Sequence, residues 1–238
     1  MSELDILSYN IDNWRKINRH KQDKIKLHNI IVATCAHAIV WNCTYQKINC
    51  VLKMVVLSKT KSFKKNFKDN DKNYPIYKLF ECRAPVVHSR FLAEVNKLKD
   101  LSSRGLAPKV YDCWVDDVSF TVDYGFILMK KMDSDLTHIL YERDLTSKEN
   151  DLINKLINNL HEKYGIAHRD LKPANMGVNL NKKKEIIECL VFDCSTVGYK
   201  KQYSSARFKK LCKKDWLKYY ERKAEDLETG RLMKKKNK

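Results

Sequence analysis

The period of the apolar positions switches along this chain. Between Ile30 and Leu57 three β-branched runs, Ile30-Ile31-Val32, Ile39-Val40-Trp41 and Val51-Leu52-Lys53-Met54-Val55-Val56, are separated by polar breaks. That spacing predicts an antiparallel meander. From Phe91 onward the apolar residues Phe91, Val95, Leu98 and Leu101 recur at three- and four-residue steps, which predicts a helix. Ser89 is its candidate cap, and Gly105 and Pro108 lie beyond its end. Strand-like segments follow at Lys109–Val115 and Phe120–Met129. Thr146 and Glu149 then stand three apart, ahead of Leu152, Ile153, Leu156, Ile157 and Leu160. This is a capping box opening a helix, which Gly165 closes. Phe208, Leu211, Cys212, Trp216, Tyr219 and Tyr220 predict one more helix. Strands first and helices later make the expected class α+β.

Three polar stretches interrupt or flank these elements. Residues 1–27 read as an N-terminal extension anchored by Leu4, Ile6, Leu7, Ile11 and Trp14. Residues 58–75 are rich in lysine and hold little to bury, so they read as a mobile basic insert or a polyanion-binding arm. Residues 223–238 read as a basic tail, disordered over Lys234–Lys238. The formal net charge is +18, which favours acidic or polyanionic partners or simply solvates the surface. No basic-aromatic nucleic-acid motif accompanies it. No apolar run is long enough to span a bilayer. The eight cysteines form no CxxC pair and no signal peptide precedes them, so reduced thiols in a cytoplasmic setting are expected.

The chemistry concentrates in His168-Arg169-Asp170-Leu171-Lys172-Pro173-Ala174-Asn175. An acid, an ammonium and a carboxamide share one short loop. Phosphoryl transfer to a hydroxyl needs such a set: a proton acceptor, a positive charge for the migrating oxygens and a metal ligand. Leu190-Val191-Phe192-Asp193 follows, with Asn179–Glu185 as a polar connection. A hairpin of that length would bring Asn175 and Asp193 to one Mg²⁺. Lys53 lies among apolar neighbours and needs a counter-charge if it is buried. Glu94 is the candidate and Glu81 a rival; an outward-facing strand lysine and a surface glutamate are the plain alternatives.

These residues resemble the eukaryotic-type protein kinase family. The resemblance implies a bilobal fold, with a β-rich small lobe over 28–131 and a shortened helical large lobe over 132–222. ATP and Mg would lie in the cleft. It implies that Asp170 receives the substrate proton, Lys172 contacts the transferred phosphate, and Asn175 and Asp193 hold the metal. Lys53 with Glu94 would steady the α- and β-phosphates, and Val40 would cover them. Met129 would back the adenine pocket, with Lys131 among the adenine-facing backbone of Lys130–Met132. Asp135 would reach the ribose, or equally cap the helix that follows. Lys172 points to Ser/Thr substrates, and the basic surface to an acidic protein.

The departures from the family are equally plain. Ala33-Thr34-Cys35-Ala36-His37-Ala38-Ile39-Val40 stands where the family has a glycine-rich phosphate loop, and Cys194-Ser195 stands where it has Phe-Gly. The segment after Asp193 is short and lacks an Ala-Pro-Glu anchor, as in minimal atypical and viral kinases. Thr196, Tyr199, Ser204 and Ser205 are weak phosphosite candidates there. Asp215 would bond the catalytic-loop backbone or be a surface aspartate. The alternative functions are a kinase-shaped decoy or regulatory module, a nucleic-acid-binding protein, and a small-molecule kinase of the aminoglycoside or choline type.

Overall fold

In the computed structural model the described residues are 24–35, 38–58, 86–117 and 122–236. The N-terminal stretch 1–23, Ala36, His37, the basic insert beyond Ser58 and Glu81 fall outside them. The protein is α+β and divides into two compact units, Met1–Val95 with Lys109–Lys131, and Asn96–Pro108 with Met132–Lys238. The residues 96–108 thus group with the second unit rather than with a continuous block ending at 131.

The first unit is built on a sheet whose main path runs β1-β2-β3-β6-β5. Its strands are β1 (Ile25–Cys35), β2 (Ala38–Tyr45), β3 (Ile48–Ser58), the short β4 (Val86–Val87), β5 (Val110–Asp117) and β6 (Val122–Lys130). All pair antiparallel except β4, which runs parallel to the end of β3. The strand starts at Ile25, so the last residues assigned to the N-terminal extension belong to the sheet. The β2–β3 turn puts Gln46 and Lys47 at φ 48° and 67°. Two left-handed residues in a two-residue loop give the strands the twist they need, even without the usual Asn-Gly pair. Trp41, Leu52, Met54, Phe126 and Leu128 are buried on this sheet. Helix α1 (His88–Ser103) begins one residue before Ser89. Its predicted stripe, Phe91, Val95, Leu98 and Leu101, is 0–3% exposed.

The second unit carries β7 (Ser134–Asp135), α2 (Leu136–Glu142), α3 (Ser147–Asn158), β8 (Ile166–Ala167), the hairpin β9 (Met176–Leu180) and β10 (Ile186–Val191), β11 (Gly198–Tyr199) and α4 (Ser205–Lys236). The capping box forms as the sequence predicts: Glu149 N donates to Thr146 Oγ1 and Thr146 N to Glu149 Oε2. Glu149 does more than cap. It takes two bonds from Arg143, at 2.6 and 2.8 Å, and one from Ile186 N at 2.8 Å, so it ties the start of α3 to the start of β10. The Arg143 guanidinium, ahead of an opposing push from burial, holds its carboxyl down at about 2. A π-helical turn (Asn159–Lys163) closes α3 before Gly165, whose φ is 61°. Such turns rotate a side chain off the regular helical face, and here His161 is buried.

Helix α4 corrects the sequence expectation most. Its apolar pattern ends at Tyr220, with a basic tail over 223–238 and disorder expected from Lys234, yet the helix continues to Lys236. Side chains of this stretch find partners on α2 and α3: Asp226 accepts from Thr137 Oγ1 at 2.9 Å, and Lys223 donates to Asn150 Oδ1. Among the described residues no helix is long and apolar enough to cross a membrane.

Candidate active site

The loop His168–Asn175 leaves β8 and ends in a 3₁₀ turn, Pro173–Asn175, which Pro173 starts. Proline suits that place because its missing N–H has no partner to lose there. What fixes the loop is Asp215 on α4. This carboxylate is 1% exposed. It accepts from His168 N at 2.8 Å, from Arg169 N at 2.7 Å and from His161 Nε2 at 3.1 Å. A carboxylate only accepts, so His161 carries its proton on Nε2. Asp215 therefore bonds the loop backbone and is not a surface aspartate. Its two main-chain bonds hold Arg169 in the left-handed region, at φ 68°.

Asp170 is the next residue. Asn175 Nδ2 donates to its carbonyl at 2.8 Å and to its Oδ2 at 3.0 Å. Lys172 Nζ lies 3.4 Å from Oδ2. Lys218 Nζ, from α4, donates to Oδ1. Partial burial pushes the carboxyl up, but the Lys218 bond, the two ammonium charges and the Asn175 bond outweigh it and hold the group below the ordinary carboxylate range. The arrangement is an ionised acceptor with cations at both oxygens.

Asp193 reaches the same place through the β9–β10 hairpin. Val191 pairs with Met176, and Phe192 N donates to the Asn175 carbonyl at 2.9 Å. Gly177 makes this possible. A Cβ there would sit 2.2 Å from Phe192 Cε1, so only glycine lets the ring lie on β9. The next residue, Asp193, adopts φ 55°, ψ 61°. Aspartate visits this region more readily than most residues, yet the conformation is uncommon and tends to mark functional loops. Ser195 Oγ donates to Asp193 Oδ1 at 2.9 Å.

Among the described residues no three His, Cys, Asp or Glu side chains gather into a metal cage. The donors at hand are different: the Asp193 carboxylate and the oxygen of the Asn175 carboxamide, whose Nδ2 is committed to Asp170. One carboxylate and one carboxamide oxygen fit Mg²⁺, a hard ion that keeps waters and takes further oxygens from phosphates.

In the first unit, Lys53 Nζ stands 2.6 Å from Glu94 Oε1, with side-chain exposures of 20% and 12%. Lys53 sits on β3 between Val40 of β2 and Ile127 of β6. Met129 is buried on β6 opposite Val51. Lys130 N is committed to the Lys109 carbonyl at 2.8 Å, and Lys131 is exposed. In the second unit Asp135 accepts from His138 N at 2.9 Å, so in this structure it is the N-cap of α2.

The segment after Asp193 is tied down throughout. Thr196 Oγ1 donates to the His168 carbonyl at 2.7 Å, and Lys97 Nζ to the Ser195 carbonyl at 2.9 Å. Tyr199 OH donates to Asp100 Oδ2 at 2.8 Å; its burial and that neighbouring carboxylate push the phenol above its usual range. Cys194 is buried. Of these partners, Lys97, Asp100 and Lys218 escape sequence reasoning. Lys218 had one usable signal: it lies three residues after Asp215, on the same face of the final helix.

Comparison with protein-family models and with curated proteins finds no match. The chemical reading therefore rests on geometry: a carboxylate flanked by two lysines and held by Asn175, whose main-chain carbonyl accepts from the residue before Asp193.

Proposed function

We propose that this chain is an ATP- and Mg²⁺-dependent protein kinase acting on Ser/Thr hydroxyls. The observation that carries the reading is the loop set Asp170–Lys172–Asn175, locked by Asp215 and joined by Asp193 through the hairpin. Asp170 would orient the acceptor hydroxyl and take its proton as that oxygen bonds to the γ-phosphorus and ADP departs. Lys172 would meet the negative charge of the transferred group. Asn175 and Asp193 would hold Mg²⁺, which when bound neutralises the phosphate oxygens. Lys53, oriented by Glu94, would contact the α- and β-phosphates. Val40, Met129 and the backbone around Lys131 would line the adenine side, and Asp135 would reach the ribose only by giving up its cap. An acidic protein suits the charge of the chain as a substrate.

The test is transfer of label from γ-labelled ATP with Mg²⁺ to a Ser/Thr acceptor protein. Asp170→Asn and Asp193→Asn should each reduce transfer by about a hundredfold or more. Equal faint signal in all three proteins would favour the decoy reading, and transfer only to a small hydroxyl compound would favour the aminoglycoside or choline type.

A further inference from the structure

We infer that Lys218 is a positioning residue for Asp170, holding its carboxylate in the plane in which it meets the acceptor hydroxyl. The inference rests on the kinase reading above. Three observations carry it. First, the two oxygens of Asp170 have separate holders: Asn175 Nδ2 binds Oδ2 at 3.0 Å, and Lys218 binds Oδ1. A carboxylate held at one oxygen still turns about its last side-chain bond; held at both, it does not. Second, both grips on the loop come from one face of α4. Asp215 takes the main-chain N–H groups of His168 and Arg169, and Lys218, three residues on, takes the side chain of Asp170. The helix therefore sets the position of the loop and the orientation of its acid together. Third, α4 is itself anchored on both sides of these two residues: Tyr219, next to Lys218, is 1% exposed, and Phe208, two turns before Asp215, is 5% exposed.

Lys218 does not use up the acceptor. Each carboxylate oxygen offers two lone-pair directions, so Oδ1 can take the ammonium and still receive a proton from a hydroxyl. Lys172 does not duplicate the role. It stands 3.4 Å from Oδ2, the oxygen Asn175 already holds, and leaves Oδ1 to Lys218. Lysine suits a half-exposed site at the end of a helical reach, because its stem packs while its head stays at the polar centre. Lys218 is 40% exposed at its side chain, so replacing it opens no cavity.

The experiment compares Lys218→Met and Lys218→Arg with the wild type in steady-state transfer. The expected result for Lys218→Met is a fall in kcat of about ten- to a hundredfold, with KM for ATP within about twofold, since misorientation acts on the chemical step. Lys218→Arg should recover most of the loss. Unchanged kcat overturns the inference. So does raised kcat, which would make the contact a restraint on the acid. In parallel, the unfolding midpoints of Asp170→Asn, Lys218→Met and the double variant form a cycle that needs no activity. Non-additive shifts show the pair in solution, and additive shifts remove it. If the wild type transfers no phosphate that Asp170→Asn abolishes, the kinase reading fails and the positioning role fails with it. A wild-type kcat in Lys218→Met, with transfer still abolished by Asp170→Asn, sinks the positioning role alone.

Discussion

His168 opens the loop that ends at Asn175 and has no contact with water. Its Nε2 lies 3.0 Å from the Phe192 carbonyl, which can only accept, so the proton sits on Nε2 and Nδ1 is bare. Burial pushes this ring below the usual imidazole range, against the opposing pull of Asp215, the Phe192 carbonyl, Asp193 and Asp170. The folded chain thus keeps a neutral ring where the unfolded chain, titrating near ~6.5, takes up a proton. Above that pH the neutral ring costs the fold nothing. Below it the unfolded state binds more protons, and stability falls as pH drops toward the folded value. The unfolding midpoint should therefore decline between pH 7.5 and 5.5, and His168→Gln, which keeps a donor to Phe192 but cannot charge, should decline less; parallel slopes would refute this. At this scale the sequence is unevenly legible. Asp170, Lys172 and Asn175 stand out because they crowd into one octapeptide. Lys218 does not, because it is one of many lysines on α4 and only the fold turns it toward Asp170.

Elements are read well where local rules and tertiary contacts agree. The α1 stripe and the α3 capping box follow from spacing alone, because each apolar residue that recurs on one face finds a core there. The partners that Glu149 takes from Arg143 and Ile186 have no such local mark, since they depend on how the β9–β10 hairpin returns. The end of α4 is the opposite case. Its last turns are charged and weakly periodic, and what holds them is contact with α2. Gly230 tests this by sign. In a free helix Gly→Ala stabilises by about 1 kcal/mol, through helix propensity. Here a Cβ would stand 2.4 Å from the Tyr141 carbonyl oxygen, and the backbone cannot give way as a side chain would. Gly230→Ala should therefore destabilise, by about 1–3 kcal/mol in urea unfolding. A gain in stability would mean the last turns of α4 do not rest on α2.

For the whole molecule the dominant fact is charge: 47 basic against 29 acidic residues. Repulsion among like charges is long-ranged, whereas contact pairs, such as Lys53 with Glu94 at 2.6 Å, are close and partly shielded from solvent. Salt acts on the two unequally. The screening length falls from roughly 30 Å at 0.01 M to roughly 8 Å at 0.15 M. Over that range the net repulsion is largely removed while contact pairs keep most of their strength. The unfolding midpoint should therefore rise with NaCl. A protein held mainly by surface ion pairs would show the reverse. Sodium sulfate at matched ionic strength separates screening from effects specific to the anion: equal rises indicate screening, and a larger rise with sulfate indicates exclusion or binding of the dianion in addition. The same imbalance should make association with an acidic partner steeply salt-dependent. If the chain is the kinase proposed above, salt should raise KM for an acidic acceptor and leave kcat unchanged, because docking would depend on the long-range field and transfer at Asp170 on contacts of about 3 Å. A fall in kcat at constant KM would place the salt-sensitive charge within the reacting centre instead.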